Sequence, residues 1–225
     1  MDNIDVEYAR EKGLSVINTP ASSSSSVAEL VFAHLYGGVR FLYDSNRNMP
    51  LEGESNFKDL KKAYSKGIEL RGKTLGIIGF GRIGQEVAKI ALGIGMEVKA
   101  SDKYINNVEV PVTLFNGDSI KVVIETNDAS EVIKSSDFIS LHVPAQRDYV
   151  IGKKEFAMMK DGSAIINAAR GGMINENDLD KALNESLIFG AGLDVFETEP
   201  PKEDNPLLKN NKVFLSPHTA AFTEE

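Results

Sequence analysis

Short apolar runs alternate with amphipathic segments along the chain from about residue 70 onward. Apolar runs bounded by turn residues predict buried strands, at 74–78, 97–101, 137–143, 163–167, 190–196 and 212–216. Apolar residues at helical spacing between these runs predict helices, at 83–94, 129–134, 153–159 and 175–185. Strands that alternate with helices in this way predict an α/β fold, a doubly wound parallel sheet of the Rossmann type.

The N-terminal segment has a different, mostly helical pattern. We expect a short helix within 1–20, followed by a strand at 14–18, and a longer amphipathic helix over 27–43. A run of five serines stands directly before the longer helix. We interpret that run as a capping turn rather than a flexible linker, with Ser25 or Ser26 as the N-cap.

Two segments depart from the alternating pattern. Residues 44–70 are polar and predicted to be irregular, apart from one helix at 56–64. Two β-rich runs flank Asn116-Gly117, which is a strong hairpin turn signal. We therefore predict an inserted β-hairpin near 110–125, as an edge or interface element without an assigned function.

A glycine-rich loop follows the first predicted strand of the alternating region. Residues 79–84 read G-x-G-x-x-G between that strand and a helix, which is the context of a dinucleotide-binding loop. Gly79 permits the tight turn, Gly81 lets the backbone approach a pyrophosphate, and Gly84 lets the helix pack on the strand. The helix N-terminus then offers unpaired N–H groups to the phosphates.

An acidic residue at the end of the next strand adds to this signal. Asp102 lies 18 residues after Gly84, close to the spacing of about 20 for a carboxylate that binds the adenosine ribose. The alternatives are a glycine-rich turn without a cofactor and an Asp102 that merely caps a turn. The combined pattern favours dinucleotide binding.

Composition excludes several other classes of function. The formal net charge is −8, which argues against general nucleic-acid binding and attachment to anionic membranes. The chain has no cysteine, so disulfides and thiolate sites are excluded, and its three histidines disfavour a metal site. No apolar run reaches the length of a membrane span, and the N-terminus does not resemble a signal peptide. We expect a soluble, cytoplasmic protein.

Polar side chains with complementary chemistry follow three later strands. Arg170 supplies a cation, Glu197 or Glu199 a carboxylate, and His218 an imidazole. Open parallel sheets bind ligands at the carboxyl ends of their strands. Beside a nicotinamide, this set fits hydride transfer at a carbonyl: histidine moves the proton, the carboxylate favours the imidazolium, and arginine holds a substrate carboxylate.

Several segments in order resemble the D-2-hydroxyacid dehydrogenase family. The match runs over nearly the whole chain and is carried by the glycine loop and the motifs His142-Val143-Pro144, Ala169-Arg170-Gly171-Gly172, Gly192-Leu193-Asp194-Val195-Phe196, Glu199-Pro200 and Ser216-Pro217-His218. Several motifs in one order are more specific than any one of them.

The resemblance implies roles for individual residues. Arg170 would bind the substrate carboxylate and keto oxygen, His218 would be the acid/base, and Glu199 rather than Glu197 would pair with it. Asp102 would favour NAD over NADP. The remaining residues would contact the cofactor: Arg82 and Ile83 at the pyrophosphate, His142, Val143, Pro144, Ala168, Ala169 and Arg170 along the cleft, and Asp194 and His218 at the nicotinamide. His34, on an apolar helix face, is interpreted as a packed or interface histidine.

The resemblance also implies a domain organisation. Residues 1–20 would be a remnant of the substrate domain, most of which is absent, and 21–225 would be the NAD-binding domain. We therefore expect the isolated chain to bind NAD but to turn over poorly. We expect a homodimer formed through the helix over 27–43 and the arm after it.

The substrate is the least determined part of the assignment. Overall resemblance favours the pair 3-phosphoglycerate and 3-phosphohydroxypyruvate, a step of serine biosynthesis. D-Lactate dehydrogenases and hydroxypyruvate or glyoxylate reductases share every motif seen here. A non-catalytic, NAD-sensing corepressor of this fold is the alternative from a different class.

Overall fold

A six-stranded parallel sheet forms the centre of the computed structural model, which describes residues 4–17, 19 and 21–224. The strands of the described chain are β1 Thr74–Ile78, β2 Glu97–Ser101, β3 Asn107–Thr113, β4 Ser119–Glu125, β5 Phe138–Leu141, β6 Ala164–Asn167, β7 Gly190–Leu193 and β8 Val213–Leu215. Its helices are α1 Val6–Glu11, α2 Ser24–Val39, α3 Leu42–Glu52, α4 Phe57–Ala63, α5 Arg82–Gly93, α6 Ala129–Ser135, α7 Lys153–Phe156 and α8 Glu176–Asn184. A 3₁₀ turn spans Pro206–Lys209.

The order of the strands places a crevice beside β1. The sheet runs β2-β1-β5-β6-β7-β8, with each neighbouring pair parallel. The chain therefore leaves β1 toward β2 on one side and returns to β5 on the other. Such a reversal of direction is where open α/β sheets bind their ligands. The predicted fold class is confirmed.

Two hydrophobic cores cover the two faces of the sheet. Ile77 of β1 belongs to one core and Ile78 to the other, because successive side chains of a strand point to opposite faces. The first core includes the apolar faces of α2 and α5, and the second those of α6 and α8. Both faces of the sheet are thus covered, as a parallel sheet requires.

The predicted hairpin is also confirmed. β3 and β4 pair antiparallel, and Gly117 occupies the turn with φ of +91°. Val110 and Ile124 are buried in the core that contains α5, while Phe115 at the tip is fully exposed. Val108 and Val122 also pack against that core, so the base of the hairpin is attached to the domain while its tip extends from the edge.

The N-terminal predictions need corrections. Residues 14–17 form no strand, and residue 18 lies outside the described chain; Leu14 and Ile17 are exposed, and a strand needs a neighbour to pair with. Residues 44–70 are not mainly irregular, because α3 fills their beginning. α2 begins after Ser23, earlier than the predicted caps, and ends at Val39. The division into domains at residue 20 stays a prediction.

Candidate active site

The glycine loop has the geometry that its sequence predicts. Gly79 has φ of +95°, which L-residues with a side chain rarely adopt, and a Cβ there would lie 2.6 Å from the carbonyl of His142. A Cβ on Gly84 would lie 2.3 Å from the oxygen of Gly79. A Cβ on Gly81 would meet no atom within 4 Å. Two glycines therefore serve the fold, whereas Gly81 leaves space at the N-terminus of α5.

Asp102 is tied to this loop by its carboxylate. Its Oδ2 accepts a hydrogen bond from the Phe80 N–H at 2.7 Å, and its Oδ1 accepts from the N–H groups of Tyr104 and Ile105. The side chain is half-buried at the end of β2. A carboxylate oxygen can accept two hydrogen bonds, so Oδ2, which accepts one here, can still accept from a ribose hydroxyl.

These residues fit NAD. The space over Gly81 admits a pyrophosphate at the first turn of α5, whose N–H groups and dipole favour an anion. Arg82 and Ile83 begin that helix. The carboxylate of Asp102 suits the hydroxyls of an unphosphorylated ribose and would repel a 2′-phosphate.

A cleft of about 820 Å³ lies beside the loop. Its wall includes many of the residues predicted to contact cofactor or substrate, namely Ile83, His142, Val143, Pro144, Ala168, Ala169, Arg170 and His218. Ser23, Val27, Ala220 and Ala221 complete the wall and were missed at the level of sequence. Ser23 belongs to the serine run, which we interpreted only as a cap.

Arg170 is placed at the rim by the turn after β6. Asn167 closes this turn, because its Nδ2 donates to the Arg170 carbonyl and its Oδ1 accepts from the Ala169 N–H. A Cβ on Gly171 would lie 1.8 Å from the Phe196 oxygen, so only glycine fits there. The Arg170 side chain is exposed, and its Nη1 donates to the Ala169 carbonyl at 2.7 Å.

His218 and Glu199 form an ion-pair geometry. His218 Nδ1 lies 2.7 Å from Glu199 Oε2, and Glu199 Oε1 accepts from the Phe196 N–H. Glu197 instead accepts from the Glu176 N–H on the first turn of α8. The structure therefore brings Glu199, and not Glu197, to the imidazole. His218 has φ of +55°, so its backbone is held in an unfavourable conformation.

Two other residues predicted to contact the cofactor, His142 and Asp194, are held by hydrogen bonds within the protein. Burial lowers the pKa of His142 to about 3, so the ring is neutral, and its Nε2 lies 2.8 Å from Ser140 Oγ. Asp194 is fully buried, and its carboxylate accepts hydrogen bonds from Ser216, Thr219 and Ala220. Its predicted contact with the nicotinamide stays a prediction.

Other kinds of site are not seen in the described chain. No three histidine or carboxylate side chains of these residues group closely enough to hold a metal ion. Among the helices described, none has the length and apolar character needed to cross a membrane.

Comparisons with known proteins agree with this arrangement. Residues 32–220 match the family described as D-isomer specific 2-hydroxyacid dehydrogenase, NAD binding domain. D-3-Phosphoglycerate dehydrogenase of Methanocaldococcus jannaschii is 44% identical over 227 residues, covering 100% of this chain and 40% of that protein. Hydroxypyruvate reductase of Thermotoga maritima is 42% identical over 229 residues, covering 100% of this chain and 69% of that protein.

A solved structure of similar sequence has the same fold. D-Lactate dehydrogenase with NAD⁺ from Lactobacillus jensenii superposes with a TM-score of 0.78 at 32% identity, covering 99% of this chain and 67% of that one. The chain thus spans from two fifths to about two thirds of the length of these relatives.

Proposed function

Because the chain belongs to the D-isomer specific 2-hydroxyacid dehydrogenase family and comprises its NAD-binding domain, we propose that the protein transfers a hydride between NAD(H) and a D-2-hydroxyacid or 2-keto acid. One observation carries this proposal. His218, whose ring pairs with Glu199, lines the same cleft as Arg170 and Ile83 of the glycine loop. An acid/base, an anion-binding cation and a dinucleotide loop therefore face one space.

The glycine loop and Asp102 would hold the cofactor. Bound NAD supplies the hydride acceptor, and NADH the donor, for the reaction. The N–H groups at the start of α5 would bind the pyrophosphate over Gly81, and Asp102 would accept from the ribose hydroxyls. His142, Val143 and the other wall residues would exclude water from one side of the cleft.

His218 would move the proton. When Nδ1–H is donated to Glu199, Nε2 is the nitrogen left to act, and it has no hydrogen bond within the described chain. In keto acid reduction, the imidazolium would release its Nε2 proton to the carbonyl oxygen. In the reverse direction, neutral Nε2 would accept the hydroxyl proton. Glu199, 2.7 Å from Nδ1, holds the ring so that Nε2 faces away from the pair in both cases.

Arg170 would bind the substrate. A guanidinium holds a carboxylate through two parallel hydrogen bonds and polarises an adjacent keto oxygen. The turn closed by Asn167 and the packing at Gly171 fix the backbone from which this side chain extends. Arg170 and His218 line the same cleft.

We propose 3-phosphohydroxypyruvate as the keto acid, in serine biosynthesis. The 44% identity to a D-3-phosphoglycerate dehydrogenase over the whole chain supports this assignment. Hydroxypyruvate is the second candidate, because a hydroxypyruvate reductase is almost as similar, at 42%.

A substrate panel on the product of the complete gene tests the assignment. NADH oxidation would be followed at 340 nm with 3-phosphohydroxypyruvate, hydroxypyruvate, glyoxylate and pyruvate. We expect kcat/KM to be highest for 3-phosphohydroxypyruvate and to be lost in His218→Ala while NAD binding persists. A higher value for another keto acid moves the assignment to that substrate. NAD binding without oxidation by any of the four would favour a non-catalytic NAD sensor.

We also propose that the protein is a homodimer through α2 and α3. α3 has no buried residue, and its Leu42, Met49 and Leu51 are exposed; α2 adds the exposed Tyr36. Exposed apolar side chains on two helices that contact each other favour an interface. Sedimentation at micromolar concentration is expected to show a dimer and Leu51→Asp to weaken it, whereas a wild-type monomer would contradict the proposal.

A further inference from the structure

A partly buried chain of hydrogen bonds joins α2 to the loop that carries His218. His34 of α2 is 2% exposed, and its Nε2 lies 3.0 Å from Ser216 Oγ. Ser216 Oγ lies 2.6 Å from Asp194 Oδ1. None of the cofactor or substrate contacts described above uses His34, although it is one of three histidines in the chain.

Asp194 fixes three consecutive backbone N–H groups of this loop. Its carbonyl accepts from the His218 N–H at 2.8 Å. Its carboxylate accepts from the N–H groups of Thr219 at 2.9 Å and Ala220 at 2.8 Å. Because His218 has a positive φ, its conformation persists only if its surroundings hold it. Asp194 supplies these bonds, so its orientation determines that of the loop.

The hydrogen-bond directions determine the role of His34. Ser216 has one hydroxyl proton, and the short distance assigns it to the carboxylate of Asp194. Ser216 Oγ must then accept from His34, so His34 carries its proton on Nε2. Its Nδ1 is buried and has no hydrogen-bond partner in the described chain. Desolvation lowers the pKa of His34, which the charge of Asp194 opposes, and the ring is a neutral donor.

Close packing fixes where the His34 ring points. A Cβ on Gly192 would lie 2.8 Å from His34 Cβ. α2 therefore approaches β7 at a distance that only glycine at position 192 permits. This approach brings a side chain from the N-terminal helix within reach of Ser216, 182 residues later.

We propose that His34 is a positioning residue for the His218 loop. By donating to Ser216, it keeps the Ser216 hydroxyl directed at Asp194, and Asp194 then holds residues 218–220 in the conformation where His218 meets Glu199. The inference rests on the proposed function only in treating His218 as the acid/base. The positioning itself is measurable without catalysis.

Three variants of the 225-residue chain test the proposal by amide hydrogen exchange. His34→Leu keeps an apolar side chain of similar size but removes the donor. His34→Gln retains a donor near the position of Nε2. Ser216→Ala removes the middle member and leaves His34 in place. The amides of Thr219 and Ala220 report on the loop, and the amide of Ile77 in β1 reports on global stability.

We expect exchange at Thr219 and Ala220 to be about tenfold faster in His34→Leu and Ser216→Ala, as for the loss of one buried hydrogen bond. His34→Gln is expected to exchange as the wild type does. Ile77 exchanges on global unfolding, which loses the same hydrogen bond, so in the other two variants its exchange should be accelerated no more than that of Thr219 and Ala220. Long-range ¹H–¹⁵N spectra of the three histidines should show His34 as the neutral Nε2–H tautomer.

If Thr219 and Ala220 exchange at the wild-type rate in both Ser216→Ala and His34→Leu, the proposal is overturned. It is also overturned if His34→Gln behaves like His34→Leu, because packing would then explain the effect. If His34→Leu does not fold, His34→Phe, which also lacks the donor, takes its place, because Ser216→Ala removes the bond to Asp194 whatever His34 does.

Kinetics of the complete gene product separate this proposal from the proposed function. His34→Leu is expected to lower kcat about tenfold with KM for NADH unchanged. If the variants accelerate exchange at the loop amides but the wild-type protein reduces no 2-keto acid, the proposed function is refuted and the positioning role is retained.

Discussion

The second and third glycines of the loop are expected to respond in opposite ways to alanine. Gly81→Ala should weaken NAD binding and leave the fold intact, whereas Gly84→Ala should destabilise the fold. The structure separates them because a Cβ on Gly81 meets nothing within 4 Å, while one on Gly84 lies 2.3 Å from the Gly79 oxygen. Both substitutions add one methyl group, so each controls for the other.

The stability terms at Gly81 nearly cancel. Its φ of −70° suits any L-residue. Alanine is a poorer N-cap than glycine by up to about 1 kcal/mol, but it also restricts the unfolded chain by about 0.4–1 kcal/mol. The net change is expected within about 0.5 kcal/mol. In the complex, the methyl group occupies the space of the pyrophosphate, and we expect a loss of at least about 1.4 kcal/mol, which is tenfold in Kd.

The terms at Gly84 do not cancel. Alanine gains about 0.8–1 kcal/mol of helix propensity. Against this, overpacking costs about 1–3 kcal/mol, toward the upper end here because the clashing atom is a backbone carbonyl. The net loss is about 1–2 kcal/mol. For a domain of this size, that corresponds to a Tm lower by about 2–8 °C.

Thermal denaturation followed by circular dichroism and NAD titration by calorimetry measure the two effects separately. The titration is run below the melting transition of both variants. A Gly81→Ala variant that binds NAD with wild-type affinity would refute the assignment of the open space to the pyrophosphate. Equal losses of Tm in the two variants would refute the packing argument.

Three other substitutions test single contacts. Glu199→Gln is expected to lower kcat about 10- to 100-fold, whereas Glu197→Gln, two residues away, changes it less than about twofold; equal effects in the substrate assay would contradict the pairing with His218. Asp102→Asn removes the charge and keeps one oxygen, which can accept from Phe80 or from Tyr104 and Ile105 but not from both sides, so NAD should bind about tenfold more weakly and NADP relatively better; an unchanged NAD-to-NADP ratio of Kd values would refute the ribose contact. His142 stays neutral in the folded chain down to about pH 3, while the unfolded chain binds a proton below about pH 6.5. The free energy of unfolding should therefore fall as pH drops through this window, by at most about 1.4 kcal/mol per unit, and an identical slope for His142→Gln in urea titrations would contradict the argument.

The sequence predicted best where the signal is local. The first strand, the glycine loop, the helix and Asp102 follow one another within about thirty residues, and each has a residue pattern of its own. α3 had no such signal, because it has no buried face and contains Pro50. Its intrinsic helix propensity is low, because Asp44, Ser45, Asn46 and Asn48 are poor helix formers. Its helical structure therefore depends on contacts with α2 and α4. The predicted strand at 14–18 was wrong for a different reason: its apolar pattern is that of a strand, but the pattern does not reveal whether a partner strand is present.

The candidate site was predictable in its members but not in its contacts. Arg170, Glu199 and His218 follow different strands, and topology brings the ends of parallel strands to one edge. The residue pattern alone left Glu197 and Glu199 open and the resemblance favoured Glu199; the structure has Glu199 Oε2 2.7 Å from His218 Nδ1. The link from His34 through Ser216 was beyond sequence reasoning, since it joins side chains from distant segments whose facing directions depend on the packing of α2.

The glycines of β7 explain why this link exists at all. β7 reads Gly-Ala-Gly-Leu, and its buried position would ordinarily favour β-branched residues. Because position 192 has no side chain, α2 reaches the strand, and His34 lies beside the end of β8. Glycine at position 192 therefore lowers the intrinsic strand propensity of β7, but it allows His34 of α2 to stabilise the loop that carries His218. The composition of β7 is unfavourable for a buried strand, but it permits the close approach of α2 on which the hydrogen bond from His34 depends.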